Sequence, residues 1–385
     1  MHVGFNLIYL IPGRTGGMEI VARELIPAIA RARPDLRLTA FVNEEAAGEQ
    51  GPWRDAAEWV VVPVSSSNRL QWIRGEQILL PRLAAESGVD LVHSLGATAP
   101  VRGRFCRVVN LYDFNYRLLP ESHSRILGLG LDVLVRLGVA RTDRIIVCSQ
   151  STAQDAERLL GVASGLIDVV PLGLGATPVT KPTAERVLRE RLTLPAGPVV
   201  LTLSDKRAHK NLVRLVEAFG LLAPAQRGTL VIAGHSTGGE RALLEAVARL
   251  SLEGSVRVHG WLSPEDRDGL YALASAFVFP SLYEGFGMPV LEAMARGVPV
   301  ACSNAASLPE VAGDAALLFE PTDVVAIADA IGTLLAAGAE VERLRRAGLD
   351  RARGFTWQRA AALTLDAYGR ALAVPRLAAS SPSPA

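Results

Sequence analysis

Short aliphatic runs alternate along the chain with longer segments whose apolar positions recur every three or four residues. Six such runs lie at 3–10, 36–42, 89–94, 106–112, 144–149 and 167–172, and six more at 198–204, 228–234, 255–260, 276–281, 298–303 and 315–321. Runs of this length, rich in Val, Ile and Leu, predict strands buried on both faces, and the segments between them predict helices. Strand–helix alternation of this kind predicts parallel sheets covered by helices, an α/β fold. Between the two series lies GLGATPVTKPTAE (173–185), whose Gly, Pro and Thr content reads as a linker. The expected organisation is therefore one Rossmann-like domain over 1–172 and a second over 173–354. An amphipathic helix over 355–375 and a disordered tail over 376–385 complete it. No repeat of solenoid period is present.

Composition narrows the picture. The 385 residues exceed what one core usually serves, and 49% apolar with 21% charged residues suits a soluble globular protein. A net charge of +1 excludes a nucleic-acid binder working through a broad basic field. Cys106, Cys148 and Cys302 stand singly in strand-like runs, so neither a disulfide framework nor a zinc site is suggested, and reduced thiols in a cytosolic protein are expected. MHVGFNLIYLIPG at the start reads as a strand and not as a secretion signal. The segment 125–140 is apolar but is broken by Asp132 and Arg136 and is too short to span a bilayer. It reads either as a half-buried helix or as one lying on the inner face of a membrane.

Candidate chemistry sits at two predicted strand-to-helix junctions. Only Lys181, Lys206 and Lys210 are lysines, and two of them share the loop SDKRAHKN (204–211) with Arg207. Leu212, Leu215, Val216 and Phe219 continue that loop into a helix that Asn211 is placed to cap, so cations and helix N-terminal amides together suit a diphosphate. At the other junction, SLYEGFGMPVLEAMARG (281–297) spaces Glu284 and Glu292 around Gly285, Phe286 and Gly287. Pro289 suits a first helical turn, Gly297 ends the helix, and the glycines allow a ligand close to the main chain. Carboxylates accept hydrogen bonds from vicinal hydroxyls. One diphosphate and two hydroxyl-bearing rings describe a nucleotide sugar, which would lie in the cleft where parallel strands end.

EGFGMPVLE resembles the E-x7-E signature of the retaining GT-B glycosyltransferases of family 4. The likeness runs through 260–321 and takes in SDKRAHKNLVRLVEAF, PGRTGGME (12–19) and DLVHS (90–94). The resemblance implies a GT-B fold, two Rossmann-like domains facing a central cleft, with the final helix crossing back to the first domain. It also implies that Glu284 meets the transferred sugar, Glu292 the ribose, and Gly285, Phe286 and Gly287 the donor. Lys210 would stabilise the leaving diphosphate with Arg207, for which Lys206 is a rival, and Gly16 and Gly17 would approach the phosphates from across the cleft. Where many members carry His-Asp, this chain has Tyr112-Asp113, so either residue would serve on the acceptor side. Base recognition is expected near Gly234, His259 and Trp261.

These expectations amount to metal-independent hexose transfer with retention, in the cytoplasm, from a nucleoside diphosphate sugar to a glycan, lipid-linked or small-molecule hydroxyl. GDP-mannose is the favoured donor, and no cofactor is expected. The only D-x-D, Asp266-Arg267-Asp268, follows Ser263-Pro264 and reads as the acidic first turn of a helix rather than a metal site. A nicotinamide dehydrogenase fits poorly, because Gly13-Arg14-Thr15-Gly16-Gly17 is not G-x-G-x-x-G. A GT-B sugar epimerase and a non-catalytic nucleotide-sugar binder are the remaining alternatives.

Overall fold

The computed structural model describes residues 1–119, 125–175 and 177–373. The first sheet contains β1 (His2–Leu7), β2 (Arg37–Val42), β3 (Glu58–Val61), β4 (Leu91–Ser94), β5 (Cys106–Leu111), β6 (Arg144–Val147) and β7 (Ile167–Val169). The second contains β8 (Val199–Leu203), β9 (Thr229–Ala233), β10 (Val256–His259), β11 (Ala276–Phe279), β12 (Val300–Ser303) and β13 (Ala316–Phe319). Twelve of these strands are the twelve aliphatic runs. The thirteenth, β3, is a four-residue edge strand with no fully buried position; its Val60, Val61 and Val62 form a short aliphatic run that ends at Pro63.

Both sheets are wholly parallel. Their orders are β3-β2-β1-β4-β5-β6-β7 and β10-β9-β8-β11-β12-β13. Each order reverses direction once, between β1 and β4 and between β8 and β11. In a doubly wound sheet such a reversal splays the neighbouring loops and opens a crevice at the strands' carboxyl ends. The loops leaving β8 and β11 are SDKRAHKN and LYEGFG, so strand order brings the two junctions together although they are far apart in the chain.

The last described helix, Trp357–Ala373, packs on the Gly17–Ala32 helix and on β5 and β6 of the first sheet. Residues 374–385, including the expected tail, lie outside the described residues. Trp357 Nε1 donates to Leu174 O at 2.8 Å, and Leu174 N donates to Phe355 O at 3.2 Å, so the start of the returning helix is fastened to the linker. Among the described residues no single helix is long and apolar enough to cross a membrane.

Candidate active site

The β8 loop closes with a 3-10 turn, Ala208–Lys210, and Asn211 follows in the left-handed region at φ 60°. Asn211 occupies the N-terminal position of the Leu212–Leu221 helix but does not cap it with its side chain, contrary to expectation. Its Nδ2 donates instead to Pro280 O at 3.0 Å and Pro321 O at 2.7 Å, because the left-handed backbone turns the amide toward the β11 side. Leu282 N donates to His209 O at 2.8 Å. The two loops are thus stitched side by side.

That stitching sets Lys210 Nζ 2.7 Å from Glu284 Oε1, with both side chains largely buried at 15% and 12% exposure. The ammonium also lies 5.6 Å from the centroid of Phe279, a favourable cation–π distance. Asp113, from the first sheet, completes the group. Burial pushes its carboxyl above the usual range; the Glu284 charge adds to this, while the Asn115 amide, 3.0 Å from Oδ1, and the Lys210 charge oppose it. Burial, and then the Lys210 charge, push the His209 imidazole down to about 4. One cation and two carboxylates from both sheets therefore share this site.

The glycine turn is held by close contacts. Ser307 Oγ lies 2.9 Å from Glu284 O and 3.0 Å from Phe286 O, which fixes the turn on either side of Gly285. Gly287, at φ +104°, opens the Met288–Ala295 helix, with Pro289 in its first turn as its missing donor allows. A β-carbon on Gly285 would fall 1.8 Å from Tyr112 O, and one on Gly17 would fall 2.8 Å from Met288 Cε. Gly285 therefore faces the Tyr112 backbone across the seam between the sheets, and the Gly16-Gly17 loop faces the opening of the Met288 helix. Phe286 is buried and stands edge-on to Phe355 at 5.8 Å. The Cβ side of Gly285 and the ring of Phe286 are thus taken up by contacts within the protein.

Several seam contacts carried no sequence signal, because each pairs residues from different sheets. Cys148 Sγ lies 3.1 Å from Gly285 O, and Tyr283 Oη donates to Asp155 Oδ2 at 2.7 Å. The Glu310 carboxylate accepts from Gln150 N at 2.7 Å and Ser151 N at 2.6 Å, so a side chain of the second unit caps the Gln150–Leu160 helix of the first. A carboxylate there also meets the positive end of that helix.

The other predicted residues divide. Arg207 is half exposed, with Nε 3.3 Å from Asp205 Oδ2. Lys206 does not join it. Its ammonium is buried, donating to Gly234 O at 2.7 Å and His259 O at 2.8 Å, so this cation holds β8, β9 and β10 together. Gly234 takes φ +146°, and a β-carbon there would strike Ser204 O at 2.0 Å. Trp261 is 71% exposed and stacks on His235 at 4.5 Å. Glu292 is buried on the Met288 helix, accepting from Tyr271 Oη at 3.2 Å, while a β-carbon on Gly175 would lie 2.2 Å from its Oε1. Tyr112 turns its hydroxyl back into the first unit, where it accepts from Asn110 Nδ2 at 2.8 Å, so Asp113 and not Tyr112 meets Lys210. The D-x-D pair opens the Pro264–Leu273 helix, with Ser263 Oγ accepting from Asp266 N. Asp266 is paired with Arg191, and Asp268 with Arg296 and Arg267. Among the described residues no cluster of three potential metal ligands occurs.

Buried polar atoms without a partner among the described residues gather at the carboxyl edge of the second sheet. They include Ser204 Oγ, Asp205 Oδ1, His209 Nδ1, Thr237 Oγ1, His259 Nε2 and Ser281 Oγ. Buried polar groups are nearly always paired, with protein or with ordered water, so this edge has polar capacity that the described residues leave unused.

Comparison with known proteins agrees with this geometry. The family model described as Glycosyl transferases group 1 matches residues 186–351, and that described as Glycosyltransferase Family 4 matches 15–175. The chain is a GT-B glycosyltransferase. O-antigen chain mannosyltransferase B of Escherichia coli is 31% identical over 264 residues, covering 68% of this chain and 69% of that one. A D-inositol 3-phosphate glycosyltransferase of Acidothermus cellulolyticus is 31% identical over 322 residues, covering 80% and 68%. A serotype-specific mannosyltransferase WbdA of Escherichia coli is 34% identical over 240 residues, although the match spans only 29% of its length. Among solved structures, sucrose-phosphate synthase of Thermosynechococcus elongatus superposes with TM-score 0.76 at 22% identity, covering 96% of this chain and 98% of that one. HepE of Anabaena, in complex with UDP and glucose, gives 0.70 at 22%, covering 95% and 99%. At such identity the likeness concerns the fold alone.

Proposed function

We propose that this glycosyltransferase is a retaining member of family 4 that moves a hexose, with mannose from GDP-mannose the favoured case. Transfer runs in the cytoplasm, without a metal ion, to a hydroxyl of a glycan, lipid-linked or small-molecule acceptor. The observation that carries this reading is the Lys210–Glu284 pair facing Asp113 across the seam. A cation for a departing diphosphate stands beside a carboxylate able to receive sugar hydroxyls, and a second carboxylate faces both from the acceptor side. The unpartnered polar edge of the second sheet supports a nucleotide in that unit. Relatives named as mannosyltransferases support the choice of sugar, and the UDP and glucose of the HepE complex support a nucleotide sugar as donor class.

The chemistry follows from charge. As the bond from the anomeric carbon to the donor oxygen breaks, its electron pair passes to the β-phosphate, where Lys210 and Arg207 stabilise it. Binding draws Lys210 toward phosphate and frees Glu284 to hold the sugar. The acceptor oxygen attacks from the face the phosphate is leaving, and its proton passes to the departing phosphate oxygen, giving a glycoside of unchanged configuration and a nucleoside diphosphate. Asp113 orients the acceptor hydroxyl. Gly16 and Gly17 approach the phosphates from the first unit, and Glu292, steadied by Tyr271, receives the ribose.

The test is a panel of GDP-, UDP-, dTDP- and ADP-sugars, read first as thermal stabilisation of wild type and Glu292→Ala. A ligand bound only by the native state must raise the melting temperature. Transfer with the best donor is then followed by NMR of the anomeric proton, with and without EDTA. Stabilisation by one base class, weakened in the variant, with a retained anomer and no effect of EDTA is expected. No stabilisation by any nucleotide sugar at millimolar concentration overturns the reading, and an inverted product overturns the retaining assignment.

A further inference from the structure

We propose that the seam between the two units holds an effector site for a small phosphate monoester with an apolar body. A cavity of about 230 Å³ lies where three segments meet. Cys148 and Val169 line it from the first unit, Phe286 and Arg351 from the second, and Phe355 and Arg359 from the segment that returns to the first. Protein interiors are packed nearly without voids, and this one has room for far more than a single water. It is smaller than the sites that take drug-sized ligands, which limits the occupant to a small body.

The cavity is not the donor crevice. The order β10-β9-β8-β11-β12-β13 puts the loops of β8 and β9, which carry the unpartnered Ser204, His209 and Thr237 atoms, on one flank of the glycine turn. Phe286 in that turn and Val311 after β12 line the cavity on the other flank. In the first unit it lies at the ends of β6 and β7, whereas Asp113 follows β5.

Its chemistry is set by two guanidinium groups beside two aromatic rings. Arg351 lies over the Phe355 ring at 5.2 Å and donates through Nε to Val311 O at 3.0 Å and through Nη2 to Glu310 O. Arg359 donates through Nη1 to Gly354 O at 3.4 Å. Both therefore use carbonyls, and among the described residues neither has an ion-pair partner. A guanidinium carries five N–H donors, so most remain available on each. Among the described residues, Glu310 is the one carboxylate on the wall, and it is engaged by Gln150 N at 2.7 Å and Ser151 N at 2.6 Å. Two cations against one engaged carboxylate call for an anion, and a phosphate dianion meets both forks at once. Val169, Val311 and the two phenylalanine rings suit the apolar group attached to it.

Occupancy would be felt at the reaction site. Cys148 Sγ lies 3.3 Å from Tyr112 O and 3.1 Å from Gly285 O, and those two residues adjoin Asp113 and Glu284. A ligand touching both units and the returning segment binds only when all three are together, so it favours the closed seam. Donor binding draws on the same closure, so each ligand strengthens the other. That coupling rests on the transferase reading; the binding itself does not.

The experiment is isothermal titration of the full chain with phenyl phosphate, and with inorganic phosphate and phenol as its separate halves. A dissociation constant on the order of a millimolar or tighter is expected for phenyl phosphate, with either half at least about tenfold weaker. Arg359 is exposed, so Arg359→Gln keeps the fold and is expected to weaken binding by about tenfold or more. Val169→Phe fills the cavity from the first unit without altering charge and is expected to abolish binding. Lys210→Met is expected to bind the probe as wild type does. Binding lost in Lys210→Met but kept in Arg359→Gln would put the probe at the diphosphate position and overturn the assignment. So would binding that neither Arg359→Gln nor Val169→Phe weakens, and so would no binding to wild type at millimolar concentration. The coupling is read by titrating the nucleoside diphosphate of the best donor. Saturating phenyl phosphate is expected to tighten that binding by about fivefold or more in wild type and not in Arg359→Gln. Nucleotide binding left unchanged or weakened in wild type overturns the effector role.

Discussion

A β-carbon built on Gly285 would stand 1.8 Å from the carbonyl oxygen of Tyr112, inside any possible contact distance. The glycine turn that carries Glu284 can therefore meet the Asp113 loop only because residue 285 lacks a side chain. Gly285→Ala is expected to leave each sheet intact but to pry the seam apart, separating Asp113 from Lys210 and Glu284. A displacement of an ångström in a reacting constellation costs on the order of a hundredfold in rate, so transfer should fall about that far. Small-angle scattering should report a larger radius of gyration; a fully active, equally compact variant would refute this use of the glycine.

The two lysines of the β8 loop should behave differently. Lys210→Met removes the cation beside Glu284 and is expected to lower kcat by about a hundred- to a thousandfold, the loss typical of one charge-stabilising donor, in the fraction that remains folded. Lys206→Met leaves the Gly234 carbonyl without its donor, while His259 O keeps the Gly234 amide at 3.3 Å. Its cost, about 1–3 kcal/mol for one abandoned buried acceptor, should appear as a lower urea midpoint, with the folded fraction nearly as active as wild type. A reversal of these two signatures would place the phosphate at Lys206.

These contrasts mark what a linear sequence can carry. Strands buried on both faces must be aliphatic throughout, so twelve of thirteen were legible; β3 was not among them, although Val60, Val61 and Val62 form a short aliphatic run at that edge. Lys210 stood out by the rarity of lysine and Glu284 by its spacing from Glu292, both at strand-to-helix junctions. Their 2.7 Å contact was not legible, since it depends on β8 lying beside β11. Lys206 looked like its neighbour Lys210, and only the non-local carbonyls of Gly234 and His259 distinguish them. Asn211 had the residue type of a cap, but a left-handed backbone gave its amide to Pro280 and Pro321. Local chemistry predicts local roles; whatever crosses between strands or between sheets needs the topology.

Glu310 offers a test of how the seam is held. Its carboxylate caps the Gln150–Leu160 helix from the other unit in an exposed position, where such an interaction contributes about 0.3–1 kcal/mol. Glu310→Gln keeps the shape and removes the charge, so the closed arrangement should weaken by at most about fivefold. The expected reading is a KM for donor raised by up to that factor with kcat nearly kept, and a wild-type KM that rises toward the variant's as salt screens the contact. A salt-independent difference would assign the effect to geometry and not to the helix end.

Two histidines should make stability depend on pH with a defined sign. His93 is buried between Tyr368 Oη at 2.7 Å and Asn110 Oδ1 at 2.8 Å, and burial pushes its imidazole down to about 4. Because Asn110 gives its amide hydrogen to Tyr112, its oxygen must accept from His93 Nε2–H, which leaves Nδ1 to accept from Tyr368. The neutral ring fits; the protonated one does not. His209 is likewise pushed down to about 4 by burial and by Lys210. The unfolded chain takes up these protons near pH 6.5, so below that value it binds more protons than the folded one. Stability is then full above pH 6.5 and falls toward pH 4 by about 1.4 kcal/mol per pH unit for each histidine. Raised carboxyls such as Asp113 act with the opposite sign in part of this window, so the comparison needs a variant. His93→Gln can accept from Tyr368 and donate to Asn110 without titrating. The difference in urea stability between wild type and this variant should be constant from pH 7 to 8 and should narrow below 6.5 by the slope of one histidine, whereas a pH-independent difference would mean that His93 is not held neutral by its surroundings.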